Sequence, residues 1–146
     1  MGLMNHLLVA LPGEGKSILS SDDPSRDRDG FTFRGLDLIK LVSLWALVDG
    51  SRTDDRFEAR MEAFQRIDGG ESGARVDILP ELMVTSLASI AAMEDDEIAA
   101  LENGWFAIDE FKGWNKLEID GLVRSIGDLA ETAQLDEKTL LVYTSL

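Results

Sequence analysis

Residues 36–49 constrain this chain more than any other segment. Leu36, Ile39, Leu41, Val42, Leu44, Trp45, Leu47 and Val48 cover most of a helix's circumference, and Asp37, Lys40 and Ser43 leave one narrow polar stripe at a spacing of three. A helix apolar nearly all round predicts an element in the middle of a core, with Gly50 as its stop. The rest of the chain must wrap it, and 146 residues are enough for that. A domain of about 150 residues buries roughly 68–70% of its unfolded surface, so no staples are needed.

The wrapping elements are legible in turn. Leu7, Leu8 and Val9, stopped by Pro12-Gly13, predict a strand over 5–11. Residues 20–30 read as a polar loop. Thr53, Asp54 and Asp55 open a helix over 53–64, with Phe57, Met61 and Phe64 on one face. Residues 69–73 form a glycine-rich turn, and Val76 and Ile78 then alternate with polar neighbours as in a short strand. Pro80 opens a third helix with Leu82, Leu87, Ile90 and Ala91 inward. Glu94-Asp95-Asp96-Glu97 begins an acid-first fourth helix, with Gly104 as stop.

The longest amphipathic pattern runs over 117–134, with Ile119, Leu122, Val123, Ile126, Leu129, Ala130 and Ala133 on one face. Gly121 and Gly127 inside it each cost about 1 kcal/mol relative to Ala, which points to close packing against a neighbour. Residues 139–144 close the chain as a β-branched and apolar strand. The order predicts a single α+β domain over 1–146. It is helix-rich, and a small sheet holds both end strands with helices on one face.

Composition bounds the chemistry. There are 28 acidic residues against 14 basic ones, a net charge of −14, one histidine and no cysteine. Phosphate backbones and anionic membrane surfaces recruit Lys and Arg, so neither nucleic acid nor a membrane is expected as a partner. A basic protein would be attracted and steered. No apolar run approaches the ~20 residues that span a bilayer, and the start lacks a positively charged leader, so the expected compartment is the cytoplasm. His6 lies in the first strand with no neighbouring nucleophile, and no acidic pair stands out among so many. No catalytic residue, metal or cofactor is assigned, and the reading leans away from an enzyme.

Residues 10–17 fit a relaxed Walker A pattern, A-x-x-x-x-G-K-S. There the backbone, with Gly15, would cradle phosphate, Lys16 would reach the terminal phosphates and Ser17 would hold Mg²⁺. Ala10 replaces the first glycine and Glu14 would sit beside phosphate, so nucleotide binding is the alternative reading. Asp23, Asp27, Asp29 and Gly30 echo a calcium loop, but Ser25 and Leu36 occupy two liganding positions. The end Thr144-Ser145-Leu146 has the form of a strand-adding peptide, although a core strand that stops there suffices. Residues 104–116 are the aromatic stretch. Trp105, Phe106, Phe111 and Trp114 crowd between two helices beside Asp109 and Glu110. Such residues anchor partners, line small-molecule pockets or complete a core.

Met1-Gly2-Leu3-Met4 before an apolar strand, and Leu36-Asp37-Leu38-Ile39-Lys40 continuing through Leu44-Trp45 and Leu47 to Asp49-Gly50, resemble the bacterial YfbM-like family. So do Glu81-Leu82 with Leu87 and Ile90, followed by Asp95-Asp96-Glu97-Ile98. The helix is similar to that family's L-D-x-x-K-x-W-x-x-L-H, with the aromatic displaced. The aromatic stretch replaces the family's I-Y-P-x-x-W-like segment. The resemblance implies an α+β fold and no reaction.

The functional expectation is a cytoplasmic, non-enzymatic binding or accessory protein, an immunity-like partner of a basic protein. Trp105, Phe106, Phe111 and Trp114 would be its anchors and Asp109 with Glu110 its charged rim.

Overall fold

The computed structural model describes residues 4–21, 23–24, 28–50, 56–69 and 73–145. Thr53, Asp54, Asp55 and Asp27, residues 70–72 of the expected turn, and both chain ends lie outside them. The expected α+β architecture is present. Five antiparallel strands run in the order β2-β1-β5-β4-β3, so the strands nearest the two chain ends are neighbours at the sheet's centre. They are β1 (Met4–Ala10), β2 (Gly30–Arg34), β3 (Gln65–Asp68), β4 (Arg75–Ile78) and β5 (Thr139–Ser145).

Side-chain alternation sorts the two faces. Leu7 lies opposite Val142 and Val9 opposite Leu140, and all four face the main core. There they meet α2 (Leu38–Val48), α4 (Glu81–Ala88), α5 (Asp95–Phe106) and α6 (Leu122–Leu135). Leu8, Ala10, Leu141, Val76 and Ile78 face the other way and pack on Ile18 of α1 (Gly15–Leu19). Helices therefore cover both faces, which corrects the one-sided expectation. α1 approaches closely because residue 15 is glycine: a Cβ there would lie 2.5 Å from Ile67 Cδ1.

α2 is the central helix the pattern predicts. Its Asp37 cap accepts the Lys40 amide at 3.0 Å, and Leu41 and Leu44 are fully buried. The polar stripe is buried too, since Lys40 and Ser43 lie inside. α4 and α6 run side by side. Gln134 Nε2 donates to Thr85 Oγ1 at 2.9 Å, and Gly127 lets Ile90 so close that an added Cβ would sit 2.7 Å from it.

Several expected boundaries move. Gly121 is not inside α6 but caps it in the left-handed region at φ 79°. Gly104 is inside α5 rather than its stop, and Trp105 and Phe106 belong to that helix. α3 is Phe57–Glu62, so Phe64 falls beyond it. The edge strands β2 and β3 are additions that the sequence reading lacks. β2 has only Phe31 and Phe33 half-buried and β3 only Ile67, too weak an alternation to register.

Candidate functional site

The aromatic stretch folds inward. Trp105, on the last turn of α5, is 0% exposed, and its indole N–H donates to the Lys40 carbonyl at 2.8 Å. Phe111 is 2% exposed and meets Trp105 edge-on at 4.9 Å and Trp114 edge-on at 5.1 Å. Trp114 in turn stacks on Phe33 at 5.9 Å. Lys40 sits within this group. Its ammonium lies 4.9 Å from the Trp114 ring and 5.5 Å from the Phe111 ring, and donates to Gly35 O at 2.9 Å. The cluster thus ties the end of α5 to α2 and β2. The expectation that Trp105 and Phe111 anchor a partner is corrected: both are core residues, out of a partner's reach. Phe106 and Trp114 are half-buried, and Asp109 and Glu110 are exposed. Lys40, the lone cation in the polar stripe of the core helix, is the residue at the centre, and nothing in the sequence joins it to the aromatic stretch.

The outer surface beside that cluster is different. Between 94 and 131 lie eleven carboxylates and three cations, and every one of the carboxylates but Glu102 is exposed. Among the described residues only Asp95 and Arg124 pair there, at 2.8 Å. In the middle stands Leu117, 76% exposed. Its 3-10 turn (Lys116–Glu118) is pinned on both sides. Asn115 Oδ1 accepts the Leu117 amide at 3.0 Å, and the Lys116 ammonium donates to the Asn103 side-chain carbonyl on α5. The fold therefore holds a leucine out to solvent on a fixed turn, in sequence between Asp109-Glu110 and Glu118 with Asp120. Its signal in the sequence was a single leucine in a polar run, which alone means nothing.

The phosphate-loop residues are arranged otherwise than that chemistry needs. Lys16 and Ser17 are exposed on a helix of five residues. Gly15 is spent on packing against Ile67. The Glu14 carboxylate takes the Leu11 amide at 2.8 Å and Arg28 at 3.1 Å, so the loop satisfies itself with its own anion. The Leu11 hydrogen bond, with Arg28 helping, holds the Glu14 carboxyl below the usual range.

His6 projects from the side of β1 opposite the main core. Its Nδ1 lies 3.0 Å from Thr32 Oγ1 and its ring 5.6 Å from that of Tyr143. Burial lowers its pKa, and the negative charge of Asp23 opposes that shift. No group of three or more His, Asp or Glu side chains suited to a metal occurs among the described residues. None of their helices is long and apolar enough to cross a membrane.

A cleft of about 490 Å³ opens between the start of α4 and the α6–β5 turn, and a smaller hollow of about 280 Å³ lies beside it. Neither is lined by the aromatic stretch, so the pocket-wall reading of Trp105 and Trp114 gains nothing from them. Comparison with models of known families, with curated proteins and with solved structures gives no match.

Proposed function

We propose that this chain is a cytoplasmic, non-enzymatic accessory protein that engages a basic protein, in the manner of an immunity protein. The observation that carries the reading is Leu117, held rigid and 76% exposed within a stretch whose carboxylates are almost all unpaired. An exposed apolar anchor in a stretch rich in like charges fits a partner that brings Lys and Arg around an apolar pocket. The anchor is therefore Leu117, with Trp114 three residues before it and Phe106 earlier in the same stretch, and Asp109, Glu110 and Glu118 as the rim. The lack of cysteine agrees with a reducing compartment.

The test is affinity measured against purified basic proteins encoded in the same genome. A partner is expected with Kd at or below about 1 μM at low salt. Leu117→Asp should weaken it about tenfold or more, and so should a rise to about 0.5 M salt. If no basic protein binds, or the one that binds ignores both changes, the reading is wrong.

A further inference from the structure

The cleft beside α4 combines features that no part of the acidic surface has. Its floor is apolar, formed by Ile78, Leu79 and Val84. Its lining also carries charge of both signs, from Glu81, Glu137 and Lys138. Among the described residues none of these three side chains forms an ion pair or a side-chain hydrogen bond, although they share one concavity and the charge of Lys138 also reaches Glu14. At about 490 Å³ the volume falls in the range of small-molecule sites, roughly 300–1,000 Å³.

The backbone marks the same place. α6 ends in a two-bond cap, with Lys138 N donating to Ala133 O at 2.7 Å and Glu137 N to Gln134 O at 3.1 Å. That cap needs a left-handed residue, and glycine is the usual choice. Here it is Glu137 at φ 56°, the one non-glycine residue with positive φ among those described. A carboxylate thus stands at a position where a side chain costs backbone strain, and that position borders the cleft.

We infer that this cleft binds a small zwitterion with an apolar body, of the amino-acid or dipeptide class. A purely apolar ligand would desolvate these charges and offer them nothing in return. A simple ion would leave the floor wet. An organic anion would be repelled by a molecule of net charge −14. A zwitterion is neutral overall, offers an ammonium to Glu81 and Glu137 and a carboxylate to Lys138, and covers Ile78, Leu79 and Val84. This inference is independent of the proposed protein partner, whose surface centres on Leu117.

Amide chemical-shift titration of the full chain tests it, with L-leucine, L-leucyl-L-leucine, glycine, leucinamide and N-acetyl-leucine as probes. Leucine or the dipeptide should shift residues 78–84 and 134–139 saturably, with Kd below about 10 mM. Leucinamide and N-acetyl-leucine, each lacking one charge, should bind about tenfold more weakly, and glycine likewise. Lys138→Gln should abolish the preference for leucine over leucinamide. Glu137→Gln should abolish the preference over N-acetyl-leucine. Both residues are exposed, and unchanged shifts elsewhere report an intact fold. Absence of saturable shifts with leucine and the dipeptide overturns the inference. So does equal binding by the one-charge probes or by glycine, or binding unchanged in both variants.

Discussion

In β4 and around α2, several charged side chains are buried and held by partners; along 94–131 nearly all the carboxylates are exposed, and ion pairing is sparse. Asp77, 1% exposed in β4, lies between Arg66 Nε at 2.8 Å and Arg75 Nε at 3.3 Å. Arg60 lies over the Trp45 ring at 4.3 Å and pairs with Asp49 at 3.1 Å. Lys40 sits among Phe111, Trp114 and Gly35. The acidic stretch carries a net charge of −8, from eleven carboxylates and three cations, and among the described residues it has one ion pair, in which Asp95 is 96% exposed. Net charge therefore misleads as a description of this protein. The first set of charges is consumed by the fold, and the second is left over for solvation or for a partner. A carboxylate's neighbours, not its abundance, decide which group it joins.

The sharpest way to break this contrast is to remove one carboxylate from each set. Asp77→Asn strips a buried charge from between two arginines. Both arginines are partly exposed and can turn toward water, so the expected loss is about 2–3 kcal/mol, below the upper range for a broken buried pair. Asp95→Asn should leave the urea midpoint unchanged, because exposed pairs contribute little. Equal midpoints for the two variants would erase the distinction.

Adjacent positions on α6 sharpen it within a single helix. Gly127 faces Ile90 at a distance that leaves no room for a methyl group, whereas Asp128 faces solvent. Gly127→Ala gains about 1 kcal/mol in helix propensity but must push α6 away from Ile90 in the turn that follows α4, which costs about 1–3 kcal/mol. The net expectation in denaturant unfolding is a loss of about 1 kcal/mol, against a change within about 0.5 kcal/mol for Asp128→Ala. A stabilised Gly127→Ala variant would show that the helices pack more loosely than the inner face requires.

These inner faces are also what the sequence discloses best. The period of 3.6 in α2 and α6 and the apolar runs of β1 and β5 placed the core and paired the chain ends, because burial imposes a repeating pattern. Gly127 was readable as a close contact for the same reason. The edge strands β2 and β3 were not, since a strand with one or two half-buried residues leaves no period. The aromatic stretch was legible only as a set of alternatives, partner anchor, pocket wall or core. Trp105 and Phe111 look alike in sequence whether they face a partner or a core, and what settles it is a contact 65 positions away, with Lys40. Leu117 shows the converse. Its exposure depends on Asn115 and Asn103, which no periodicity reveals. Glu137 is invisible for a third reason, because composition does not report a backbone angle.

The smallest expected effect concerns pH. Burial lowers the His6 pKa from its ordinary value of 6.5, with Asp23 acting in the other direction. The folded chain thus prefers a neutral imidazole more than the unfolded chain does. Stability from this group is complete above pH 6.5 and is lost as pH falls below that value through the folded pKa. The Glu14 contribution behaves in the same sense but lower, since its depressed carboxyl pKa places the loss below 4.5. His6→Gln should therefore flatten the change in melting temperature between about pH 7 and pH 5, and Glu14 will not compensate in that window. Thr32 faces the imidazole at 3.0 Å and accepts or donates with either tautomer, so it does not by itself fix the protonation state. A slope that survives His6→Gln unchanged would mean that a group other than this imidazole couples protons to folding in that window.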